Sequence, residues 1–287
     1  MLLPKIEALG TYWHIELFED CADATVLRDS IVDWLEEYES RYSRFRTDSW
    51  LSKLNQNGEF LNPDPQFVEL LNLSLDYYQK TTGVFNVAVG EKLINAGYDA
   101  DYSFTANEQE TVVPILSDIL SVTDDRISLS AGRLDLGGIG KGFAIDALAE
   151  YLHTEHNLSY FLINGGGDMY ATSDNEKPVT IALGHPYDKS LGIGNLELQN
   201  AGFAASSPHV RSWVDAKTGA SKNHLLTTKQ IATYVTSRNT VEADVWATTL
   251  CLNQSVHTPI HVQALVLDQA RIKRCDDKFK IYSKTNM

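Results

Sequence analysis

Residues 133–146, RLDLGGIGKGFAID, place four glycines and a lysine between an alternating apolar run and the start of a helical pattern. Glycine lets the backbone approach a ligand closely, and the free amides at a helix N-terminus favour anions. The stretch therefore predicts a strand, a tight turn and a helix beginning near Lys141, with backbone amides facing a phosphate. A strand-to-helix turn without a ligand is the alternative that this stretch alone leaves open.

Two common phosphate-binding loops do not account for the stretch. A P-loop requires G-x-x-x-x-G-K-[ST], but the residue after Lys141 is a glycine, and Asp135 stands where the first glycine is needed. A dinucleotide-binding turn needs glycines at relative positions one, three and six. Gly138 and Gly140 match the first two positions, whereas Phe143 occupies the third. The P-loop is excluded and the dinucleotide turn is matched only in part.

A second stretch, EADVWATTL at residues 242–250, offers oxygen ligands for a cation. Asp244 and Thr248 are four residues apart, so in a helix they share one face. A carboxylate and a hydroxyl are donors that a hard cation such as Mg²⁺ accepts, and Mg²⁺ keeps other positions for water and phosphate. The alternative is an aspartate favoured by the helix dipole, with a buried threonine one turn later.

Composition narrows the class of protein and its partners. The chain has 287 residues, of which 43% are hydrophobic and 22% charged, as in a soluble globular protein of one large or two fused units. The formal net charge of −14 disfavours nucleic acid and anionic membrane as partners. The three cysteines are far apart, and the first residues, MLLPKIEALG, lack an apolar signal core. We therefore expect a cytoplasmic protein without membrane insertion.

Apolar periodicity predicts helices mainly in the first half of the chain and strands mainly in the second. The predicted helices include one with apolar residues 27–42, one that begins at Asp64-Pro65 and stops near Gly83, and one over VEADVWATTLCL. RISLSAGRLDL predicts a hairpin that turns at Ala131-Gly132. Strands are predicted over GTYWHIELFE, YFLINGGGDMYAT (two segments), PVTIALG, NLELQ, QIATYVTS and HVQALVLD. Without β-α alternation, this favours an α+β fold with mixed sheets and flanking helices, in one compact body or two intimate lobes.

Six stretches, in order along the chain, resemble the motifs of the ApbE family, the FAD:protein FMN transferases. They are LGTYWHI, YSRFRTDSWLSKLN, TTGVFNVAVGEKL, DLGGIGKGFAID, INGGGD and ADVWATTL. The fourth matches the family signature D-L-G-x-I-x-K-G-x-x-x-D at every fixed position. The resemblance covers most of the chain, so we treat residues 1–287 as one ApbE-like flavin transferase domain.

The resemblance implies an activity and a set of site residues. The family binds FAD with Mg²⁺ at its pyrophosphate, transfers the FMN half to a Ser or Thr hydroxyl of a partner protein, and releases AMP. The implied metal ligands are Asp244, Thr248 and the main-chain carbonyl of Gly138. The implied flavin and adenosine contacts are Leu9, Phe45, Ala96, Gly97, Tyr98, Asp135 and Lys141. The implied partner is an acceptor redox protein, which we expect in the cytoplasm with the chain itself.

The chain departs from the family where a catalytic histidine is expected. The family carries H-I-I-D-P-x-T-G, and this chain has SWVDAKTG, so Ser212 stands at the histidine position and Ala216 at the proline. His209 and His224 are the histidines nearest to that position, and we favour His209 as the general base. Two other functions stay open: an FAD-binding protein with little turnover, and a Mg²⁺-dependent FAD pyrophosphatase in which water replaces the acceptor hydroxyl.

Overall fold

The computed structural model of the chain describes residues 1–107, 110–173, 177–188, 190–269 and 271–282. Capping side chains and proline mark the starts of several helices within these ranges. Asp64 accepts hydrogen bonds from the amides of Gln66 and Phe67, and Pro65 opens the helix, as predicted. The α-helices are α1 Ala24–Tyr42, α2 Trp50–Asn57, α3 Pro65–Lys80, α4 Gly90–Asn95, α5 Leu116–Ile119, α6 Gly140–His156 and α7 Thr240–Leu252.

The strands form antiparallel sheets. They are β1 Ile6–Ala8, β2 Thr11–Leu17, β3 Glu59–Leu61, β4 Leu120–Val122, β5 Arg126–Leu129, β6 Tyr160–Gly165, β7 Asp168–Ser173, β8 Val179–Gly184, β9 Gly192–Leu198, β10 Ala201–Ser206, β11 Ser212–Val214, β12 Ser221–Asn223, β13 Ile231–Ser237, β14 Gln263–Asp268, β15 Arg271–Cys275 and β16 Lys280–Ile281. The predicted α+β class is confirmed, and β10 and α2 are among the elements that the apolar pattern did not predict.

The chain is divided into two compact units. The first unit comprises Met1–Glu36, Lys141–Val210 and Lys229–Met287. It contains an eight-stranded sheet in the order β1-β2-β6-β7-β10-β13-β14-β15 and a three-stranded sheet in the order β16-β9-β8. The second unit comprises Glu37–Gly140 and Arg211–Thr228, with the sheet β3-β5-β4 and the hairpin β11-β12.

Strand β13 explains how the large sheet of the first unit is buried on both faces. Ala232 and Tyr234 join an apolar cluster with residues of β8 and β9. Thr233 lies between them in sequence and donates its hydroxyl hydrogen to the carbonyl of Ala247 in α7, at 2.8 Å. Successive side chains of a strand point to opposite faces. One face of β13 therefore packs on the small sheet and the other on α7.

The predicted hairpin over RISLSAGRLDL is wrong. Its first half is β5, which pairs with β3 and β4 instead of with residues 133–136. The second half takes other partners: the side chain of Asn55 accepts from the amide of Leu134 at 2.8 Å and donates to its carbonyl at 2.9 Å. The amide of Asp135 donates to the carbonyl of Val87. With these partners, residues 133–136 belong to no strand.

Candidate functional site

Helix α6 begins at Gly140, within the glycine turn that the sequence singled out. Gly142 lies against the first turn of α7, where an added Cβ would meet the carbonyl oxygen of Thr240 at 2.7 Å and the Cα of Val241 at 2.8 Å. A side chain therefore does not fit at residue 142. This close approach lets the amide of Gly142 donate to Oδ2 of Asp244 at 3.2 Å.

Lys141 lies between two carboxylates in the first unit. Its ammonium forms an ion pair with Oδ2 of Asp168, and it is 3.7 Å from Oδ2 of Asp244. Both carboxylate side chains are only 4% exposed, and that of Lys141 is 20% exposed. Two buried negative charges thus face a single positive charge.

Asp168 is a member of this cluster that the sequence-based assignment missed. It follows a three-glycine turn in which Gly166 and Gly167 both have positive φ, a conformation that glycine tolerates best. That turn starts β7 at Asp168, whose other oxygen, Oδ1, accepts from the amide of Ala205 at 3.3 Å. Asp168 is the final residue of INGGGD. The sequence comparison matched this stretch to a family motif, but none of its residues was assigned to the site.

Burial dominates the electrostatics of this cluster. It raises the pKa of Asp244 above its ordinary value; Lys141 opposes that shift and Asp168 adds to it. The raised pKa is the expected result of two carboxylates that share one ammonium away from water. A further positive charge would lower the free energy of ionised Asp244.

Hydroxyl oxygens extend the same cluster. Thr248 lies one helical turn after Asp244 in α7, and its Oγ1 is 3.3 Å from Oγ of Ser206 at the end of β10. Among the described residues, no three His, Cys, Asp or Glu side chains form a metal-binding group. The set of donors is two carboxylates and two hydroxyls with an excess of negative charge. Such donors fit Mg²⁺, which takes oxygen ligands and keeps several waters.

Asp146, the last fixed residue of the glycine motif, has a structural role. Its two oxygens accept from the amides of Thr240 and Val241, each at 2.8 Å, at the N-terminus of α7. Burial raises the pKa of Asp146 to about 6, although both amide hydrogen bonds act in the opposite direction. The carboxylate ties α6 to the start of the helix that carries Asp244.

In the second unit, Arg44 brings three of the predicted flavin and adenosine contacts together. It forms an ion pair with Oδ2 of Asp135 and donates through Nη2 to the carbonyl of Tyr98 at 2.8 Å. Its guanidinium lies 4.2 Å from the ring centroid of Phe45. The other oxygen of Asp135 accepts from the amide of Gly137 at 2.7 Å. Arg44 itself was not assigned, although it directly precedes Phe45 in sequence.

Residues 96–98, the predicted contact turn, are fixed by aromatic neighbours. Gly97 has a φ of +92°, and an added Cβ would meet the amide nitrogen of Thr105 at 2.6 Å. Trp213 donates through Nε1 to the carbonyl of Ala96 at 3.2 Å. The rings of Trp213 and Tyr98 stack with centroids 5.3 Å apart. The second unit therefore gathers Phe45, the turn and Asp135 beside one aromatic cluster.

Leu9 and Gly138 complete the predicted set, and they lie in different units. Leu9 and Gly10 have φ values of +53° and +65° and form the turn between β1 and β2, which is the turn type that a tight hairpin favours. Gly138 lies in the turn immediately before α6.

The region of the expected catalytic histidine is the β11-β12 hairpin. Ser212 starts β11, is exposed, and pairs with Asn223 of β12. His224, in the same unit, contacts the carbonyl of Arg211 through Nδ1 at 3.2 Å. His209 lies in the first unit, three residues after Ser206; it is exposed, and its ring packs edge-on against Tyr187 with centroids 5.0 Å apart.

Comparison with known proteins assigns this architecture to a family. The chain matches the ApbE family profile over residues 9–265. It is 24% identical over 272 residues to the FAD:protein FMN transferase of Buchnera aphidicola subsp. Schizaphis graminum, covering 86% of this chain and 78% of the relative. It is also 24% identical over 253 residues to the FAD:protein FMN transferase of Haemophilus influenzae, covering 77% of this chain and 72% of the relative.

Solved structures share the fold. The ApbE protein from Thermotoga maritima aligns with a TM-score of 0.78 and 20% identity, covering 96% of this chain and 97% of that one. The flavin transferase ApbE from Vibrio cholerae aligns with a TM-score of 0.75 and 21% identity, covering 98% and 96%. With the family profile spanning most of its length, the chain belongs to the ApbE family.

Proposed function

We propose that the chain catalyses Mg²⁺-dependent transfer of the FMN half of FAD to a serine or threonine hydroxyl of a partner redox protein, with release of AMP. Transfer of flavin to a protein is the activity in the names of its curated relatives. The observation that supports the finer proposal most is the buried, net-negative cluster of Asp168, Lys141 and Asp244 at the start of α6.

In this proposal Asp244, Thr248 and the main-chain carbonyl of Gly138 hold Mg²⁺. The cation supplies Lewis-acid neutralisation of charge on the diphosphate, which is the main requirement of phosphoryl-type transfer. Lys141 and the first amides of α6 bind the diphosphate, because a helix N-terminus and an ammonium both favour an anion. A protein with a net charge of −14 needs such local positive groups to bind an anionic substrate.

The flavin and adenosine of FAD are assigned to the remaining predicted residues. Phe45 and Tyr98 offer aromatic faces beside the 96–98 turn, and Arg44 holds both of them near Asp135. Aromatic faces suit planar ring systems. Leu9 is also proposed as a contact of FAD.

His209 is the proposed general base. One of its ring nitrogens takes the proton of the acceptor hydroxyl while the hydroxyl oxygen bonds to the phosphorus of the FMN half. The bond between that phosphorus and the bridging oxygen breaks, and AMP leaves with the bridging oxygen. Two observations support the choice: His209 is exposed, and only two residues separate it from Ser206, the neighbour of Thr248.

The proposed partner is a cytoplasmic redox protein. All three cysteines, Cys21, Cys251 and Cys275, are free thiols, as is usual in a reducing compartment. No helix in the described ranges is both long and apolar enough to cross a membrane.

Product analysis tests the proposal. Purified protein is incubated with FAD and MgCl₂, with and without an acceptor protein, and AMP, FMN and covalent flavin are quantified. We expect AMP and covalent flavin in equal amounts only when the acceptor is present, and neither in Asp244→Ala or with EDTA. Free FMN with AMP in the absence of acceptor would identify a pyrophosphatase instead. Intact FAD in every reaction would identify a binding protein.

A further inference from the structure

The ammonium of Lys141 occupies the electrostatic position that a metal cation would need. It is paired with Asp168 and lies 3.7 Å from Asp244, and Asp244 is the proposed carboxylate ligand of Mg²⁺. A divalent cation and an ammonium that share two nearly inaccessible carboxylates repel each other strongly, because little water screens them. Asp244 therefore cannot bind the cation and the Lys141 ammonium together as tightly as it would bind either one alone.

Counting charges indicates what resolves this competition. The cluster carries two carboxylates and one ammonium, a net charge of −1. Adding a divalent cation alone makes the net charge +1, and adding a diphosphate with two negative charges alone makes it −3. Adding both restores −1. The diphosphate is also an alternative partner for the ammonium, which a flexible lysine stem can redirect more easily than a rigid guanidinium fork.

We propose that Lys141 is an exchangeable counter-ion that makes divalent-cation binding depend on the nucleotide diphosphate. Without nucleotide, its ammonium neutralises Asp168 and Asp244 and keeps the affinity for the cation low. When a diphosphate binds, the ammonium transfers to the phosphate oxygens and Asp244 becomes available to the cation. The inference rests on the proposed function, because it takes Asp244 as the metal ligand and FAD as the source of the diphosphate.

The position of Lys141 suits such an exchange. It lies in the first turn of α6, where the helix dipole already favours an anion. Its side chain is 20% exposed, whereas both carboxylates are nearly inaccessible. By reciprocity, a cation that strengthens FAD binding is itself bound more tightly by the same factor when FAD is present. The exchange therefore links two binding events at one residue.

The chain offers a matched control for loss of a lysine beside a buried aspartate. In the second unit, Nζ of Lys222 is 3.6 Å from Oδ2 of Asp215, whose side chain is inaccessible. Hydrogen bonds from the hydroxyl and amide of Thr218 hold the pKa of Asp215 well below its usual range. Lys222→Met removes a comparable ion pair outside the cluster of Asp168, Lys141 and Asp244.

The test measures metal binding directly. MnCl₂ alone is titrated into the full-length protein by calorimetry, for wild type, Lys141→Met, Lys141→Arg, Lys222→Met and Asp244→Ala. We expect Lys141→Met to bind Mn²⁺ at least tenfold more tightly than wild type, with Lys141→Arg and Lys222→Met within twofold of wild type. Asp244→Ala should abolish the binding. Equal or weaker binding by Lys141→Met would overturn the inference.

A second readout measures the linkage. FAD affinity is followed by flavin fluorescence polarisation with MgCl₂ and with EDTA. In wild type we expect Mg²⁺ to tighten FAD binding at least tenfold, and in Lys141→Met this factor should fall at least fivefold. An unchanged factor would contradict the exchange. Should Lys141→Met not fold, as judged by near-ultraviolet circular dichroism, Lys141→Gln replaces it in both experiments.

The Mn²⁺ titrations test the exchange by Lys141 separately from the assignment of Asp244 as a metal ligand. If wild type and Lys141→Met bind Mn²⁺ equally and Asp244→Ala does not bind it, the exchange is wrong and the metal assignment stands. If Asp244→Ala binds Mn²⁺ like wild type, or if no variant binds it even with FAD, the metal assignment fails and the exchange fails with it.

Discussion

Gly142 of α6 lies in close contact with the backbone of the first turn of α7. Replacing it by alanine would place a Cβ 2.7 Å from the carbonyl oxygen of Thr240 and 2.8 Å from the Cα of Val241. Both are backbone atoms, which cannot move aside as the end of a flexible side chain can. We expect Gly142→Ala to lower the free energy of unfolding by about 1–3 kcal/mol, the usual cost of overpacking, and to weaken metal-dependent FAD binding.

Urea unfolding and flavin polarisation measure both effects. Gly184→Ala in β8 is the control, because an added Cβ there meets no atom within 4 Å and the backbone is not left-handed. It should leave both quantities unchanged. A Gly142→Ala protein as stable as wild type, with the same FAD affinity, would show that the close approach of α6 and α7 does not matter.

Trp213 is the residue-scale anchor of the proposed flavin-contact turn. Trp213→Ala removes the stacking on Tyr98 and the hydrogen bond to the carbonyl of Ala96. An aromatic pair contributes about 0.5–1.5 kcal/mol beyond its buried area, so we expect FAD affinity to fall about two- to tenfold. Trp213→Phe keeps an aromatic ring without the donor and should recover part of the affinity. Equal affinity in all three proteins would show that Trp213 does not support FAD binding.

Sequence reasoning assigned Lys141 and Asp244 to the candidate site but did not assign Asp168 or Arg44, which the structure pairs with assigned residues. The missed residues act through partners distant in the chain: Asp168 pairs with Lys141 across 27 residues, and Arg44 pairs with Asp135 across 91 residues. Helical spacing places Asp244 and Thr248 on one face because the relation is local. No local pattern specifies an ion pair that only the tertiary fold creates.

At the scale of elements, the start of α7 is set by side chains from two places. Asn239 accepts from the amide of Glu242 at 2.8 Å as the N-cap, and Asp146 accepts from Thr240 and Val241. The N-cap is adjacent in sequence to the helix that it caps, so this contact is local. The contribution of Asp146 cannot be read from the local sequence, because that residue lies 94 positions before Thr240.

The buried cap gives stability a definite pH dependence. The folded state raises the pKa of Asp146 from 3.8 to about 6, so it holds the proton more tightly than the unfolded chain does. The unfolding free energy attributable to this residue therefore falls as the pH rises from about 4 to about 6, and is constant outside that window. A shift of about two pKa units corresponds to roughly 3 kcal/mol.

Comparison of wild type with Asp146→Asn isolates this effect. Urea unfolding followed by tryptophan fluorescence should show that the stability of wild type, relative to the variant, decreases from pH 4 to pH 6. A difference that is constant over this range would mean that Asp146 titrates alike in the folded and unfolded states.

Asn55 is the reason that one predicted element is wrong. Its carboxamide bonds both the amide and the carbonyl of Leu134, the two groups that a neighbouring strand would otherwise satisfy. The alternation in RISLSAGRLDL predicts a strand, but alternation does not tell which partner completes the hydrogen bonds. Here a distant side chain makes the hydrogen bonds that a paired strand would make, and the local sequence pattern does not show this.

We expect Asn55→Ala to leave both groups of Leu134 without these partners. Loss of hydrogen bonds to buried groups costs about 1–3 kcal/mol each, so the unfolding free energy should fall by at least that amount. Differential scanning calorimetry measures the change, and Gln56→Ala, at the exposed position that follows in the same helix, is the surface control. An Asn55→Ala protein with the melting temperature of wild type would refute the role assigned to Asn55.

At the scale of the molecule, apolar patterning was sufficient for the α+β class but not for the division into units. The first unit is built from three chain segments and the second from two, with boundaries at residues 36, 140, 210 and 228. None of these boundaries is marked by a proline-rich, glycine-serine or low-complexity linker. Because the chain passes between units inside helices and short turns, composition carries no signal of the division.

The family motifs are spread along the whole chain because each unit is built from distant chain segments. Phe45 and Asp135 belong to the second unit, and Lys141 and Asp244 to the first. Proposed site residues that come from such distant segments are visible in a sequence only through several motifs in order. Each motif alone has an ordinary structural explanation, as Asp146 illustrates by capping a helix.

The most direct measurement is the mass of an acceptor peptide after incubation with the protein, FAD and MgCl₂. A serine- or threonine-containing acceptor should gain the mass of one FMN moiety, and fragmentation should locate it on the hydroxyl residue. Asp244→Ala and EDTA should abolish the product, and His209→Gln should slow it by at least a hundredfold. An acceptor that gains flavin equally with Asp244→Ala or with EDTA would contradict metal-dependent transfer through Asp244.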